Sequence, residues 1–220
     1  MMRENFLGYI LDRAGELGTV TKRDVSPWEV IHKGAIKFDI EAYEIAGTGY
    51  LSVIRMNAML GLMKMDTVVF TPALKDAPLF SYDMIRVLGN DTLLLELYDT
   101  QLCAVDLSAV DEVKARYVHL SDNDLGEHWY DHLKLSPTLS KKGKKLAKAY
   151  APLCREWFDA YLEVVRSAAD CDREEKQAKV AEYVDGLFEH GGPSTDQFKK
   201  LIGDEEAKML FHRFVFSGRT

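Results

Sequence analysis

Two aspartates stand in apolar segments where a charged side chain is costly. Asp66 interrupts the stretch 65–70, and Asp83 lies between Tyr82 and Met84. A carboxyl group buried in such a segment has to be paired, solvated by a cavity, or raised in its pKa. Because a carboxyl group with a raised pKa keeps its proton near neutral pH, both residues are candidate proton donors. The alternative is that each aspartate lies at a strand end and faces water.

Other chemical motifs are weaker. His128 and His132 are four residues apart and could share one face of a helix. No third ligand with zinc-site spacing accompanies them, so a solvated polar loop is the interpretation we favour, and we expect no metal. The glycines at 47–49 lack the rest of a dinucleotide fingerprint, and neither a phosphate-binding loop nor a GxSxG motif occurs.

The elements that would position these side chains change in character along the chain. Between about Trp28 and Tyr98, short apolar runs separated by glycine turns predict an antiparallel meander of about five to seven strands. From about Ser108 to 216, apolar residues recur at three- and four-residue spacing, which predicts amphipathic helices. A further helix is predicted near the N-terminus, through Phe6 and Ile10.

This order of elements predicts a three-layer α/β/α sandwich with a central antiparallel β-sheet. The runs 68–70 and 93–95 are apolar on consecutive residues, so we expect helices to cover both faces of the sheet. No internal repeat or low-complexity linker divides the 220 residues, and we expect a single domain over 1–220.

The composition excludes several classes of protein. With 28 Lys and Arg against 35 Asp and Glu, the formal charge is -7, which disfavours nucleic-acid binding. No apolar run approaches the ~20 residues of a membrane span, and the N-terminal stretch lacks the apolar core of a secretory signal. Three cysteines without a CxxC pair, Cys103, Cys154 and Cys171, favour free thiols and a cytoplasmic location.

Lysines are concentrated in one segment, where five occupy the eight positions 141–148. If Ser140 caps a helix, four of these lysines would share one face. They are Lys141, Lys144, Lys145 and Lys148. Such a patch would attract an acidic partner in a salt-sensitive way. The alternative is a solvated helix start without a partner.

Several segments together resemble the ferredoxin-dependent bilin reductases. Pro78 to Asp83, preceded by the strand 68–70 and followed by a glycine hairpin and 97–99, is similar to one conserved part of that family. Trp129, the helix through Trp157, and the segments 198–203 and 211–216 follow in the order that the family shows. The similarity spans about residues 40 to 216.

This resemblance implies the sandwich fold and a linear tetrapyrrole, such as biliverdin, held between the sheet and the C-terminal helices. It implies reduction by single electrons from reduced ferredoxin, with no tightly bound cofactor. Asp83 matches the catalytic aspartate of the family, and Asp66 falls where some members carry a histidine. We therefore expect both carboxyl groups to face one substrate and to titrate as a coupled pair.

The resemblance also suggests residues that contact the substrate and the donor. Phe80, Tyr82 and Trp129 are expected at the substrate, and Arg55, Arg86 and Arg116 are candidate cations for its two propionates. The lysines of 141–148 are the expected ferredoxin-binding residues.

The sequence departs from the family at two acidic positions. The stretch 53–56 has no counterpart of an upstream glutamate, and 191–194 reads Gly-Gly-Pro-Ser where many members carry an acid. Glu189 or His190 could replace that acid. Three alternatives stay open: a tetrapyrrole-binding protein without reductase activity, an enzyme similar to red chlorophyll catabolite reductase, and an interaction protein without a cavity.

Overall fold

The computed structural model describes residues 2–216, with side chains from Phe6 onward. Its centre is an eight-stranded sheet flanked by helices. The strands are β1 (Val20–Arg23), β2 (Val30–Lys33), β3 (Ile36–Ile45), β4 (Gly49–Ala58), β5 (Met63–Pro72), β6 (Leu79–Val87), β7 (Asn90–Tyr98) and β8 (Leu139–Lys144). The helices are α1 (Met2–Ala14), α2 (Ser108–Arg116), α3 (Ala147–Ser167), α4 (Arg173–Glu189), α5 (Pro193–Ile202) and α6 (Asp204–Leu210). Short 3₁₀ turns span Met59–Gly61 and Trp129–Leu133, and a π-helical turn spans Phe211–Val215.

The strands follow one another across the sheet in the order β1-β3-β4-β5-β6-β7-β8, and β2 pairs with β3 on the same side as β1. Every pairing is antiparallel. Six strands, β2 to β7, lie between Val30 and Tyr98, within the number that the turn signals predict. The sheet is wider than predicted, because β1 and β8 extend it on either side.

Both faces of the sheet are buried, each under its own layer of helices. One core contains Val68 of β5 and Phe80 of β6 together with residues of α1, α2 and α3. The other contains Val69 and Leu79 together with residues of α4, α5 and α6. Because successive strand residues point to opposite faces, strands covered on both sides are apolar on consecutive residues. The predicted α/β/α sandwich with a central antiparallel sheet is confirmed.

Helix α3 is held against the sheet by aromatic packing and by one buried carboxylate. Trp157 and Tyr161 lie over Phe80, with ring centroids 5.0 and 5.2 Å from it. The carboxylate of Asp91 accepts hydrogen bonds from the Ala147 N–H at the start of α3, at 2.9 Å, and from Arg86 Nε, at 2.7 Å. These contacts fix the helix relative to β6 and β7.

The lysine-rich segment folds as a strand and not as a helix. Residues 139–144 form β8, which pairs with β7, and α3 begins only at Ala147. The predicted helix starting at Ser140 is wrong, because the open edge of β7 offers this segment a hydrogen-bonding partner distant in sequence. Lys141 is buried and pairs with Asp122 at 2.7 Å, so it belongs to no surface patch. Lys144, Lys145 and Lys148 are exposed.

A buried lysine ties α4 to the residues just before β6 and just after β7. Lys176 Nζ donates to the carbonyl oxygens of Ala77 and Thr100, at 2.6 and 2.7 Å, and lies 3.5 Å from Asp76 Oδ1. Burial lowers the pKa of Lys176 to about 8, although Asp76 opposes that change. Within residues 2–216, no helix is both long and apolar enough to cross a bilayer.

Candidate functional site

A cavity of about 310 Å³ lies between the sheet and the layer formed by α4, α5 and α6. Its floor consists of Ile54 of β4 and of alternate residues of β5, β6 and β7, and its roof comes from α4, the start of α5 and the last turn. The polar floor residues are Thr67, Ser81, Asp83, Glu96 and Tyr98. A volume of this size is within the range of small-molecule sites, which begins at about 300 Å³.

Asp83 stands in the floor of this cavity as a carboxyl group in a largely apolar setting. The cross-strand register places Thr67 directly opposite it, and the Thr67 hydroxyl donates a hydrogen bond to Asp83 Oδ1. Burial, together with the nearby Glu96, raises the pKa of Asp83 to about 7, against the opposing effect of hydrogen bonds from Thr67 and Ser81. Asp83 can therefore hold a proton near neutral pH, as an ordinary aspartate does not.

Glu96 is the second carboxyl group of the cavity and has a cation beside it. It lies on β7 opposite Ser81, on the same face of the sheet as Asp83. Its carboxylate is 3.0 Å from Lys134 Nζ and accepts a hydrogen bond from the Tyr98 hydroxyl at 2.8 Å. Burial opposes the charge of Lys134, but Glu96 and Asp131 hold its pKa above the ordinary value. The environments of the two cavity carboxyl groups therefore differ, which suits Asp83 to donate a proton and Glu96 to accept hydrogen bonds.

Three tyrosines surround this carboxylate. The rings of Tyr98 and Tyr183 lie 4.7 Å apart and their hydroxyls interact, while Tyr130 packs on Tyr98 at 6.1 Å. Burial raises the pKa of Tyr98 and Tyr183 well above the ordinary value, so both remain protonated. His128 stacks on Tyr130 at 5.0 Å and also lines the cavity.

Asp66 lies on the other face of the sheet. The register pairs Asp83 with Thr67 and Asp66 with Met84, and neighbours along a strand point to opposite faces. Asp66 lines a second cavity, of about 230 Å³, between the sheet and helices α1 and α3. The expectation that Asp66 and Asp83 face one substrate and titrate together is wrong, and Thr67 occupies the position beside Asp83.

Four of the residues predicted to contact substrate are on that same opposite face. Arg55, Tyr82 and Arg86 line the second cavity with Asp66, and the Phe80 ring is buried under α3. These predictions are wrong for a ligand bound at Asp83, because even-numbered residues of β6 point away from it. Arg86 is engaged by Asp91, as described above.

Arg116 is also engaged elsewhere. Its Nη2 lies 2.9 Å from a carboxylate oxygen of Glu156. Both side chains lie on the α2–α3 side of the molecule. Arg116 therefore offers no cation to the cavity of Asp83.

Trp129 supports the cavity without lining it. Its Nε1 donates to the Gly191 carbonyl at 2.7 Å, and its ring packs against Gly186 of α4, where an added Cβ would overlap the ring. The His190 ring packs against Trp129, with the ring centroids 5.3 Å apart. Both residues therefore fix the segment 190–192 at the wall of the cavity, a structural role in place of the predicted contact.

The start of α5 forms the cavity wall where the resemblance places an acid. Gly192, Pro193, Ser194 and Thr195 line the cavity there. This stretch brings the positive end of the α5 dipole to the wall and carries no acidic side chain. Glu189 and His190 do not line the cavity, so neither replaces the acid.

The histidine pair does not form a metal site. His128 and His132 lie at either end of the 3₁₀ turn, and His132 Nδ1 is 2.6 Å from the Trp129 carbonyl oxygen. Among the residues from Phe6 to 216, no group of three or more His, Cys, Asp or Glu is placed to hold a metal ion.

Asp83, which was singled out from the sequence, lines the cavity, whereas its neighbours there were not predicted. Glu96 and Tyr98 alternate with apolar residues on β7, a pattern that could have indicated a shared face with Asp83. In the sequence, Tyr183 is one of the apolar residues at helical spacing in α4, and Thr67 is of a type common in strands. Neither carried a signal of its own.

Fold and site together define a class: an α/β/α sandwich with an antiparallel sheet and an enclosed site between that sheet and its C-terminal helices. No family model matches the sequence, and no curated protein matches it. The structure is similar to the crystal structure of phytochromobilin synthase from tomato in complex with biliverdin, with a TM-score of 0.73 and 12% sequence identity. The match covers 96% of this chain and 82% of that chain. The chain thus has the fold of a bilin reductase.

Proposed function

We propose that the protein reduces a linear tetrapyrrole such as biliverdin in the cavity of Asp83, with electrons delivered singly by reduced ferredoxin. The observation that carries this proposal is the Asp83 carboxyl, which has a pKa of about 7 and lies in the floor of the cavity. The similarity to a bilin reductase crystallised with biliverdin supports the choice of substrate.

Reduction of one carbon–carbon double bond takes up two electrons and two protons. Two reduced ferredoxins are each oxidised by one electron, and the first electron makes the conjugated tetrapyrrole a radical anion. A neutral Asp83 relieves that charge by giving its proton to the substrate. The resulting Asp83 carboxylate is reprotonated from solvent before the second transfer, and its pKa near 7 makes both directions accessible.

The rest of the cavity provides a setting for a flat, conjugated ligand. Ile54, Met65, Ile85 and Leu94 line it with apolar surface, which excludes water from the developing charge. Glu96 and Tyr98 offer polar atoms along one edge. With the predicted arginines on the other face, the N-terminal end of α5 is the feature of the wall that favours a propionate.

An absorption titration with biliverdin tests the proposal. We expect a changed visible spectrum on binding and a further shift when photoreduced ferredoxin is added. Asp83→Asn should bind biliverdin with similar affinity but stall turnover or accumulate a radical detectable by electron paramagnetic resonance. Asp66→Asn is the matched control, because it makes the same chemical change on the opposite face.

The outcomes separate the alternatives. Binding without any electron uptake would select a tetrapyrrole-binding protein over a reductase. Failure to bind any linear tetrapyrrole at micromolar concentration would reject both. Equal turnover by wild type and the Asp83 variant would show that another group supplies the proton.

A further inference from the structure

All four non-glycine residues of the described chain that have a positive φ lie at one end of the sheet. Met59 and Leu60 have φ of 52° and 55° in the turn between β4 and β5, and Leu88 has 50° in the β6–β7 turn. Lys145, with 53°, follows β8. Backbone hydrogen bonds of 3.1 Å join these turns, from the Leu88 N–H to the Leu62 carbonyl and from the Lys145 N–H to the Gly89 carbonyl. We call Met59, Leu60, Leu62, Leu88 and Lys145 the hairpin-end surface.

The apolar members of this surface are unfavourable for the fold on two counts. A left-handed conformation is unfavourable for an L-residue other than Asn, Asp or Gly, because its Cβ comes too close to the backbone carbonyl oxygen. Leu88 and Gly89, with φ of 50° and 82°, form a two-residue turn of the kind for which Asn-Gly is preferred. The exposed fractions of Leu60 and Leu88 are 100% and 65%, so burial does not offset that cost.

Strain and exposure of this kind mark surfaces that contact something else. Strained residues cluster at functional sites, and contiguous exposed apolar side chains mark interaction sites. Met59 and Leu62 are also about half exposed, at 51% and 54%, so four aliphatic side chains project from adjoining turns.

Cations surround the apolar turns. Lys145 and Lys144 are exposed beside the β6–β7 turn, Lys144 being paired with Asn90 across β7 and β8. Lys64 lies directly across the strand pair from Arg86, whose charge is already paired with Asp91 at 2.7 Å. Since the whole chain carries a formal charge of -7, this end is a positive region on an acidic protein. Charge complementarity points to a partner with an acidic rim and an apolar centre.

The hairpin-end surface lies close to the cavity of Asp83. Ile85 lines that cavity, and Leu88 is three residues further along the same chain. At about 3.3 Å per residue, Leu88 is roughly 10 Å from the cavity edge. Leu62 lies equally far before Met65, another lining residue.

We propose that the hairpin-end surface docks the electron-donor protein of this enzyme. This inference rests on the proposed function. The aliphatic turn residues enter an apolar centre on the donor, and Lys144 and Lys145 face its carboxylates. Each encounter passes one electron, so the donor is oxidised by one electron and the bound tetrapyrrole is reduced by one. Two encounters are needed for each double bond.

Leu88→Asn is the most informative variant, because it places the preferred residue in the turn and removes the apolar side chain. We expect its Tm to be equal to or higher than that of the wild type, while its Kd for a plant-type [2Fe–2S] ferredoxin rises at least about fivefold. Val118→Asn, at a 75% exposed aliphatic residue after α2, is the matched control and should leave the Kd unchanged.

Lys145→Gln tests the charge. We expect a Kd about two- to threefold higher at low ionic strength and no difference at 0.5 M salt. Lys22→Gln removes the same charge from an exposed position on β1, toward the opposite end of the sheet, and should have no effect.

Ferredoxin binding is measured by calorimetry without tetrapyrrole, and reduction is measured separately with reduced methyl viologen. Failure of the viologen to reduce biliverdin on the wild-type protein refutes the proposed function. The docking proposal is overturned if Leu88→Asn binds ferredoxin as tightly as the wild type does. It is also overturned if the wild-type protein does not bind ferredoxin. Binding to phosphatidylserine vesicles that Leu88→Asn abolishes, with ferredoxin affinity unchanged, would assign the surface to a membrane and overturn it as well.

Discussion

Replacing Asp83 by Asn should make the protein more stable at alkaline pH. The pKa of Asp83 is raised by burial from 3.8 to about 7, so between these values the native state holds a proton that the unfolded chain releases. Stability therefore falls as the pH rises through this window, because the native state binds more protons than the unfolded state. At 1.36 kcal/mol per pH unit, the full effect is up to about 4 kcal/mol, of which about 2.5 falls between pH 5 and pH 8.

Asparagine cannot ionise, and its side-chain oxygen can still accept the hydrogen bond from Thr67. The variant should therefore gain about 2.5 kcal/mol relative to wild type as the pH is raised from 5 to 8. Guanidinium unfolding at half-unit pH intervals measures this difference. Asp12→Asn, on the exposed side of α1, is the control and should run parallel to the wild type. If the Asp83 variant also runs parallel, its carboxyl is ionised without penalty and the proposed proton donor is lost.

Three further perturbations test particular contacts. Lys176→Met should cost about 3–5 kcal/mol in denaturant unfolding, because it leaves the buried Asp76 without its cation, and a loss below about 1 kcal/mol would contradict that role. Asp66→Asn should leave biliverdin affinity and turnover unchanged in the absorption assay, and reduced turnover would place Asp66 in the reaction after all. Gly186→Ala should push the Trp129 ring from α4 and weaken biliverdin binding at least about fivefold; an unchanged affinity would show that Trp129 does not support the cavity.

The layers of this fold were predictable from sequence, whereas the face on which each side chain lies was not. Consecutive apolar residues such as those at 68–70 indicated a sheet covered on both sides. Whether Asp66 or Thr67 stands beside Asp83 depends on the register across β5 and β6, and a shift of one residue exchanges the two faces. The segment 73–78, which connects β5 to β6, has no composition that would predict this register.

The lysine-rich segment shows a second reason for failure. Helix propensity and a serine cap are local properties, and lysine is a good helix former. Pairing of β8 with β7 is a contact between segments about 50 residues apart, and it decides the structure of 139–144. For function, this means that the lysines of 141–148 do not share one face of a helix, as had been predicted. Two of them, Lys144 and Lys145, instead lie beside the strained turn at Leu88.

The two features that carry the functional proposals both oppose stability. A carboxyl group with a raised pKa costs free energy when it ionises, and exposed leucines in a left-handed conformation cost free energy at any pH. Hydrogen bonds from Thr67 and Ser81 offset the cost of ionising Asp83 only in part, and burial does not offset that of the leucines. The buried charges of Lys176 and Asp91, in contrast, are matched by hydrogen-bond partners. Asp66 shows that the presence of an acidic residue in an apolar strand does not by itself identify the proton donor. What distinguishes Asp83 is that it lines the cavity beneath the C-terminal helices. The edge of that cavity is about 10 Å from the surface where we place the donor, which corresponds to three strand residues.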